Sequence, residues 1–266
     1  MKMKARWRLD RCVIGCAIGG AVSGILTPAY FLPAGREELG SGAENMRMAL
    51  FRPLPTELDD LVSAIFWILP VLILMFLCGT VFSRDFERCG IYIFTRSRSR
   101  SRWYIRKSVK LLALAVVYYA MHAAACLCLV AGKTGGNVAC AAELVLLFIA
   151  LHALFGCIML QIQNLAGIFA GSHIGYLAAV LLTIILAICA MAAYNSSAIK
   201  LAFLANPLAH LNYEWHTDVG LQPVQGMDFT LAESFICYGT MWAILFVVGY
   251  GYINHADIGI CSREES

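Results

Sequence analysis

Apolar positions in this chain come in long unbroken blocks, with the polar residues gathered between them. Six blocks stand out: Cys12 to Leu32, Leu61 to Phe82, Leu111 to Gly132, Val138 to Leu160, Ile174 to Tyr194 and Ser234 to Ile253. A helix needs about 20 apolar residues to cross the hydrocarbon of a bilayer, and backbone groups there must pair within their own segment, which selects helices over open strands. Five of the six blocks contain no Asp, Glu, Lys or Arg; the exception is Glu143, close to the start of the fourth, where a carboxylate still reaches headgroups or water. The pattern predicts an all-α membrane protein with six transmembrane helices, residues 1–266 forming a single domain.

Composition excludes a soluble alternative, because 60% of residues are hydrophobic, only 14% are charged and the mean hydropathy is +0.72, too oily for one buried core to hide. Charge then sets the orientation. Fifteen Lys and Arg fall in the amino terminus, the stretch Ser83 to Lys110 and the carboxy-terminal tail, against five in the connections on the other side, so both termini and the charged stretch are expected to be cytoplasmic. A basic start followed by an apolar run also describes a secretory signal, but this run continues through Leu32, longer than such signals need, and reads as a retained first helix. Residues 1–11, with five cations and Trp7, read as an interfacial collar that suits anionic lipid.

Of the eleven cysteines, Cys12, Cys16, Cys78, Cys157, Cys189 and Cys237 lie in apolar runs and act there as small hydrophobes. A bond from Cys126 or Cys128 to Cys140 is the minor alternative, and no metal-ligand spacing occurs. Gly132-Lys133-Thr134 mimics the end of a phosphate-binding loop, but the glycine required five positions earlier is Leu127. The chain is therefore expected to bind no cofactor of its own.

Small residues at Gly15, Gly19, Gly20 and Gly24 mark a close packing face on the first helix. Residues 33–60 read as an outer loop ending in the acidic group Glu57, Asp59 and Asp60. Gln161 to His173, polar and uncharged, reads as a connection offering a second cytoplasmic contact through Asn164, Gly167 and Gly171. Residues 195–233 form the largest outer segment, where Phe203, Leu204, Leu208, Leu211 and Trp215 suit a dip into the outer membrane surface. His122 and His152 fall within helices, where ionisable groups are functional candidates; they either line a pathway or hydrogen-bond a neighbouring helix. Ser23, Thr27, Thr80, Thr183 and Gln161 pose the same choice. Glu143 and Glu233 join Thr80 and the two histidines as candidate pathway residues.

The stretch Ser83 to Lys110 holds nine of the twenty basic residues. Its first half has the pattern of a short amphipathic helix, with Phe82, Phe86 and Ile93 on one side and Asp85 and Glu87 in the first turn, where carboxylates suit exposed amides. An alternating Arg-Ser run follows, and Trp103 and Tyr104 anchor the next helix at the interface. Three roles fit: a topology determinant that binds anionic lipid, a docking helix for a cytoplasmic partner, or, on weak evidence, an RNA contact. Seven residues without an aromatic platform argue against nucleic acid.

In this stretch Asp85, Glu87, Arg88, Gly90, Thr95, Ser99, Arg100 and Lys107 occur in the order found in the coupling helix of ABC-2 type permeases, the membrane subunits of ATP-binding-cassette exporters. The chain resembles that family. Cys89 intervenes before Gly90, and Ser97 stands where a proline is frequent. Asn206-Pro207-Leu208 with His210 is similar to the family's outer re-entrant segment before the sixth helix. The resemblance implies a permease subunit that is not itself an enzyme, with a coupling helix between helices two and three. Two copies of a separate cytoplasmic ATPase, carrying the ATP and Mg, would dock on Arg84, Asp85, Phe86, Glu87, Arg88, Gly90, Thr95, Ser99 and Arg100. A second permease copy or a related permease would complete the pathway in a bacterial plasma membrane. The outer connections carry eleven acidic and five basic residues, which suits a cationic peptide or drug as cargo. A lipid-linked glycan exporter and an immunity or assembly protein working without an ATPase are the alternatives. A membrane enzyme is disfavoured, because His122, His152 and Glu143 make no recognised motif.

Overall fold

The computed structural model describes residues 2–31, 42–52, 54–55, 61–84, 100–134, 142–194, 204–219 and 229–255. Seven α-helices carry the described chain: α1 (Lys2–Phe31), α2 (Gly42–Leu50), α3 (Leu61–Cys78), α4 (Arg100–Thr134), α5 (Ala142–Ala170), α6 (Ser172–Tyr194) and α7 (Leu231–His255). Three 3-10 turns, Ala209–Leu211, Tyr213–Trp215 and Thr217–Val219, lie between α6 and α7. Five helices contain segments long and apolar enough to cross a membrane: Arg11–Tyr30, Arg100–Gly132, Ala142–Ala170, Ser172–Ala192 and Leu231–Asn254. The chain is a multi-pass helical membrane protein. Ile174, Leu177, Leu181, Ile185 and Ile188 of α6 are exposed, as are Ile236, Ile244, Val247 and Val248 of α7; such continuous apolar flanks suit lipid and would aggregate in water.

The second block behaves differently from the rest. The run from Leu61 to Phe82 stays helical only through Cys78, after which a turn closes with Val81 N on Cys78 O (3.3 Å) and Arg84 N on Thr80 O (3.1 Å). At 1.5 Å per residue α3 is about 27 Å long, close to the hydrocarbon thickness.

α4 is the centre of the bundle, packing on α1, α5, α2 and α7. The small residues of α1 explain how closely it meets α4: a Cβ on Gly20 would strike the Tyr118 backbone, and one on Gly24 the His122 backbone. That closeness also lets Cys126 Sγ donate to Gly24 O at 3.3 Å.

The stretch Gln161 to His173 corrects the sequence expectation. It is no loop: α5 runs through Ala170 and breaks only at Gly171, whose φ of 95° suits glycine. Its polar side chains turn inward and fasten the end of α3. Gln163 Nε2 donates to Met75 O (3.2 Å), Asn164 Nδ2 to Cys78 O (3.3 Å), and Asn164 Oδ1 accepts from Phe82 N (2.8 Å). A helix end leaves carbonyls without partners, and Asn164 serves as their cap from a neighbouring helix. Asn164 and Gly167 are buried, and only Gly171 is exposed, so a surface contact through the first two is ruled out in this arrangement.

A further difference is α2, inside the stretch expected as plain loop. Asn45, Met46, Ala49 and Leu50 are buried on one face while Glu44 and Met48 are exposed, a spacing of three and four that makes a short amphipathic helix. Glu57, Asp59 and Asp60 lie outside the described residues, as do the side chains of the collar at residues 1–10.

Candidate functional site

Between α1, α3, α4 and α5 lies a cavity of about 50 Å³, walled on one side by α2 and Leu211. Its walls include Thr27, Trp67, Tyr119, His122, Phe148 and His152, with Arg52 and Leu211 also contributing. Since one water occupies about 10–15 Å³ on this measure, the space suits about three or four waters.

The two histidines flank a single ring. Phe148 lies 5.2 Å from His122 and 4.0 Å from His152, centroid to centroid, and Tyr119 lies 5.4 Å from His152. His122 Nδ1 is 2.9 Å from Ser23 Oγ, which also accepts from Tyr118 OH at 2.9 Å. His122 thus both ties α4 to α1 and faces the cavity. His152 Nδ1 lies 3.1 Å from Phe148 O. A carbonyl only accepts, so that nitrogen carries the hydrogen and Nε2 is left as an acceptor on a cavity-lining ring. Thr27 and Thr183 donate within their own helices, to Ser23 O (2.9 Å) and Ala179 O (2.8 Å).

Other expected pathway residues fall elsewhere. Thr80 sits in the turn after α3. Glu143 and Glu233 are exposed in the first turns of α5 and α7. Glu233 Oε2 accepts from Thr230 N (2.7 Å) while Glu233 N donates to Thr230 Oγ1 (3.3 Å). That reciprocal pair is a capping box, which places Glu233 in helix initiation and not in the cavity.

Residues 204–219 roof one end of the bundle. Asn206 Nδ2 donates to Leu186 O of α6 (2.8 Å), its Oδ1 accepts from Leu208 N (2.9 Å), and Tyr238 OH of α7 donates to Pro207 O (2.7 Å). Leu208, Leu211 and Trp215 are buried within the protein. Phe51, just after α2, stacks on Tyr213 of the roof at 4.6 Å and meets Phe148 of the cavity wall edge-on at 5.6 Å. Arg47 of α2 pairs with Glu214. His210 and His216 both reach Ser234 Oγ at 2.8 Å. Burial is the main influence on each imidazole and lowers its affinity for a proton, partly offset by carbonyl contacts and by Glu233 for His210 and Asp218 for His216.

Sequence reading found His210 and missed His216 and the role of Ser234. The available signal was the Thr230-x-x-Glu233 box, which fixes where α7 starts and so puts Ser234 in its first turn.

At the opposite end, Asp85, Phe86, Glu87, Arg88, Gly90, Thr95 and Ser99 lie outside the described residues. The flanks of that segment are firmly held. Lys107 Nζ donates to Val81 O (3.2 Å), Phe82 packs on Trp103 at 5.6 Å between centroids, and Ser101 Oγ donates to Asn254 Oδ1 of α7 (2.9 Å). Arg84 is exposed and Arg100 partly so. Among the described residues no group of three or more His, Cys, Asp or Glu is placed to hold a metal ion.

Residues 54–258 match DUF2705, described as a protein of unknown function. The chain belongs to the DUF2705 family. The DUF2705 match spans α3 to α7, and with them His122, His152, the turn after α3 and the roof; Ser23, the α1 partner of His122, precedes it. No curated protein and no solved structure matches the chain.

Proposed function

We propose that the chain is the transmembrane subunit of an ATP-driven exporter in a bacterial plasma membrane, forming half of a translocation pathway with a second permease. In this reading α3 is a sixth crossing, both termini and residues 83–110 are cytoplasmic, and a separate ATPase docks against residues 84–100. The observation that carries the reading is the fastening of both flanks of that segment. Val81 and Phe82 on one side and Trp103 and Lys107 on the other are tied to each other, and Phe82 N is tied to Asn164 of α5. Force applied to residues 85–99 is thereby delivered to α3, α4 and α5 together, the three helices that bear most of the cavity wall. The cavity, with its buried histidines and ring of aromatic side chains, is then part of the pathway. A cationic peptide or drug suits the acidic outer connections.

The test is co-purification with any cytoplasmic ATPase subunit encoded by a neighbouring gene. Glu87→Arg with Arg88→Glu should abolish association and the stimulation of ATP hydrolysis while leaving the permease folded. Unchanged association and hydrolysis would sink the docking assignment.

A further inference from the structure

The roof contains a cluster that the transport reading does not use. His210 Nδ1 and His216 Nε2 face the same hydroxyl, Ser234 Oγ, each at 2.8 Å. The second nitrogen of each ring faces a carbonyl: His210 Nε2 is 2.8 Å from Leu204 O, and His216 Nδ1 is 3.2 Å from Tyr213 O. Carbonyls only accept, so each of these nitrogens needs a hydrogen, and a neutral imidazole has one to place. Both nitrogens facing Ser234 are then bare acceptors. A hydroxyl has a single hydrogen, for which Thr230 O at 3.3 Å also competes. Four histidine contacts call for four hydrogens, while two neutral imidazoles and a hydroxyl bring three. With His210 at 3% exposure and His216 and Ser234 at 0%, bulk water does not reach the unmatched lone pair.

We propose that His210, Ser234 and His216 form a binding site for one proton, shared between the two imidazoles, and that its occupancy latches residues 204–219 onto α7. With the proton bound, the hydroxyl donates to one ring and accepts from the other, and every member of the chain from Leu204 O to Tyr213 O is satisfied. Without it, two lone pairs face each other at hydrogen-bond distance in a buried place, which is costly.

The surroundings set how many protons enter and in which direction the latch responds. Glu233 at the start of α7 favours charge on His210, and Asp218 of the last 3-10 turn favours it on His216. Phe229 packs edge-on against both rings at 4.7 Å, and Tyr238 of α7 lies 6.1 Å from His210. The Arg47–Glu214 pair and the Tyr213 phenol, raised chiefly by burial and then by Glu143, complete the charged and titratable groups around the roof. Burial disfavours charge on each ring taken singly, and His210 disfavours it on His216, which opposes a second proton. The first proton removes the clash of lone pairs, a gain that an opened and hydrated roof does not offer. In this proposal relief of that clash outweighs the burial that lowers each ring's own affinity, so the closed roof holds the shared proton more tightly than the open one. Closure is favoured at acid pH and weakens as pH rises through the closed-state value.

The latch needs no ATPase, so it is testable on the permease alone and stands or falls separately from the docking assignment. Hydrogen–deuterium exchange of the whole protein in lipid nanodiscs, corrected for intrinsic exchange, would be followed at about pH 5 and about pH 8, on either side of the ordinary histidine range. Amide protection over residues 204–219 is expected to fall roughly tenfold toward alkaline pH, while α4 stays unchanged. In His216→Gln the side-chain amide reaches the Nε2 position and donates to Ser234 permanently, so protection should be high and independent of pH. Wild-type protection that ignores pH or rises with it overturns the proposal, as does a wild-type pH response in His216→Gln.

Discussion

The two ends of the bundle fasten irregular chain to helices by opposite chemistry. At one end the turn after α3 is held by amides, Gln163 and Asn164 of α5, reaching Met75 O, Cys78 O and Phe82 N. At the other, beside the bonds of Asn206 and Tyr238, the turns before α7 are held by two imidazoles on one hydroxyl. An amide brings its donors and acceptor at every physiological pH, whereas an imidazole changes its hydrogen count near neutrality. The amide fastening is thus permanent, whereas the imidazole one is conditional on pH.

The largest effect is expected from removing the permanent fastening. Asn164→Leu keeps volume but leaves Phe82 N, in the buried turn, without a partner and Cys78 O with Val81 N alone. An orphaned buried donor costs about 1–3 kcal/mol and the lost bond to Cys78 O about 1 kcal/mol, so the loss should be about 3 kcal/mol in detergent unfolding, equal at acid and alkaline pH. A loss that varied with pH would place a titrating group at the turn after α3 and end the contrast.

Ser234→Ala should be smaller and conditional. Where the proton is bound it removes two satisfied hydrogen bonds, about 2 kcal/mol at about pH 5. At about pH 8 the same hydroxyl faces a lone pair that it cannot match, and the substitution should cost close to nothing. Because the proton stabilises the closed roof, wild-type stability is fully present at acid pH and declines as pH rises, whereas the variant should lack that slope.

Much of this contrast was illegible in the chain, for a physical reason. Long apolar blocks predict helices because hydrocarbon leaves the backbone no other partner, and the five long spans fall where those blocks do. Polar residues are ambiguous, since they mark either solvent or an internal partner. Gln161, Gln163 and Asn164 were read as the start of a loop, yet their hydrogen bonds go to Tyr104 OH, Met75 O and the end of α3. The stop at Cys78, four residues before the block ends, falls at Gly79, where a Cβ would strike Gln163 Nε2, and Asn164 satisfies the turn beyond it. Gly79 is a local sign of that stop, but its partners on α5 are not announced locally. His216 and Ser234 are likewise 18 residues apart and meet only through the fold. α2 falls in the stretch expected as loop, although Met46, Ala49 and Leu50 stand at helical spacing behind Glu44.

The smallest expected effect tests whether charge alone, without a shared proton, also secures the roof. Arg47 of α2 pairs with Glu214, their side chains 21% and 27% exposed. A pair so open to water contributes about 0.5 kcal/mol, and ions screen it within about 3 Å at 1 M salt. Glu214→Gln should therefore lower stability by about 0.5 kcal/mol at low salt and by nothing measurable at high salt. The variant should keep the full pH slope of the wild type. Loss of that slope in Glu214→Gln would move the pH response from the His210–Ser234–His216 cluster to the ion pair, and the roof would then be a simple electrostatic clasp.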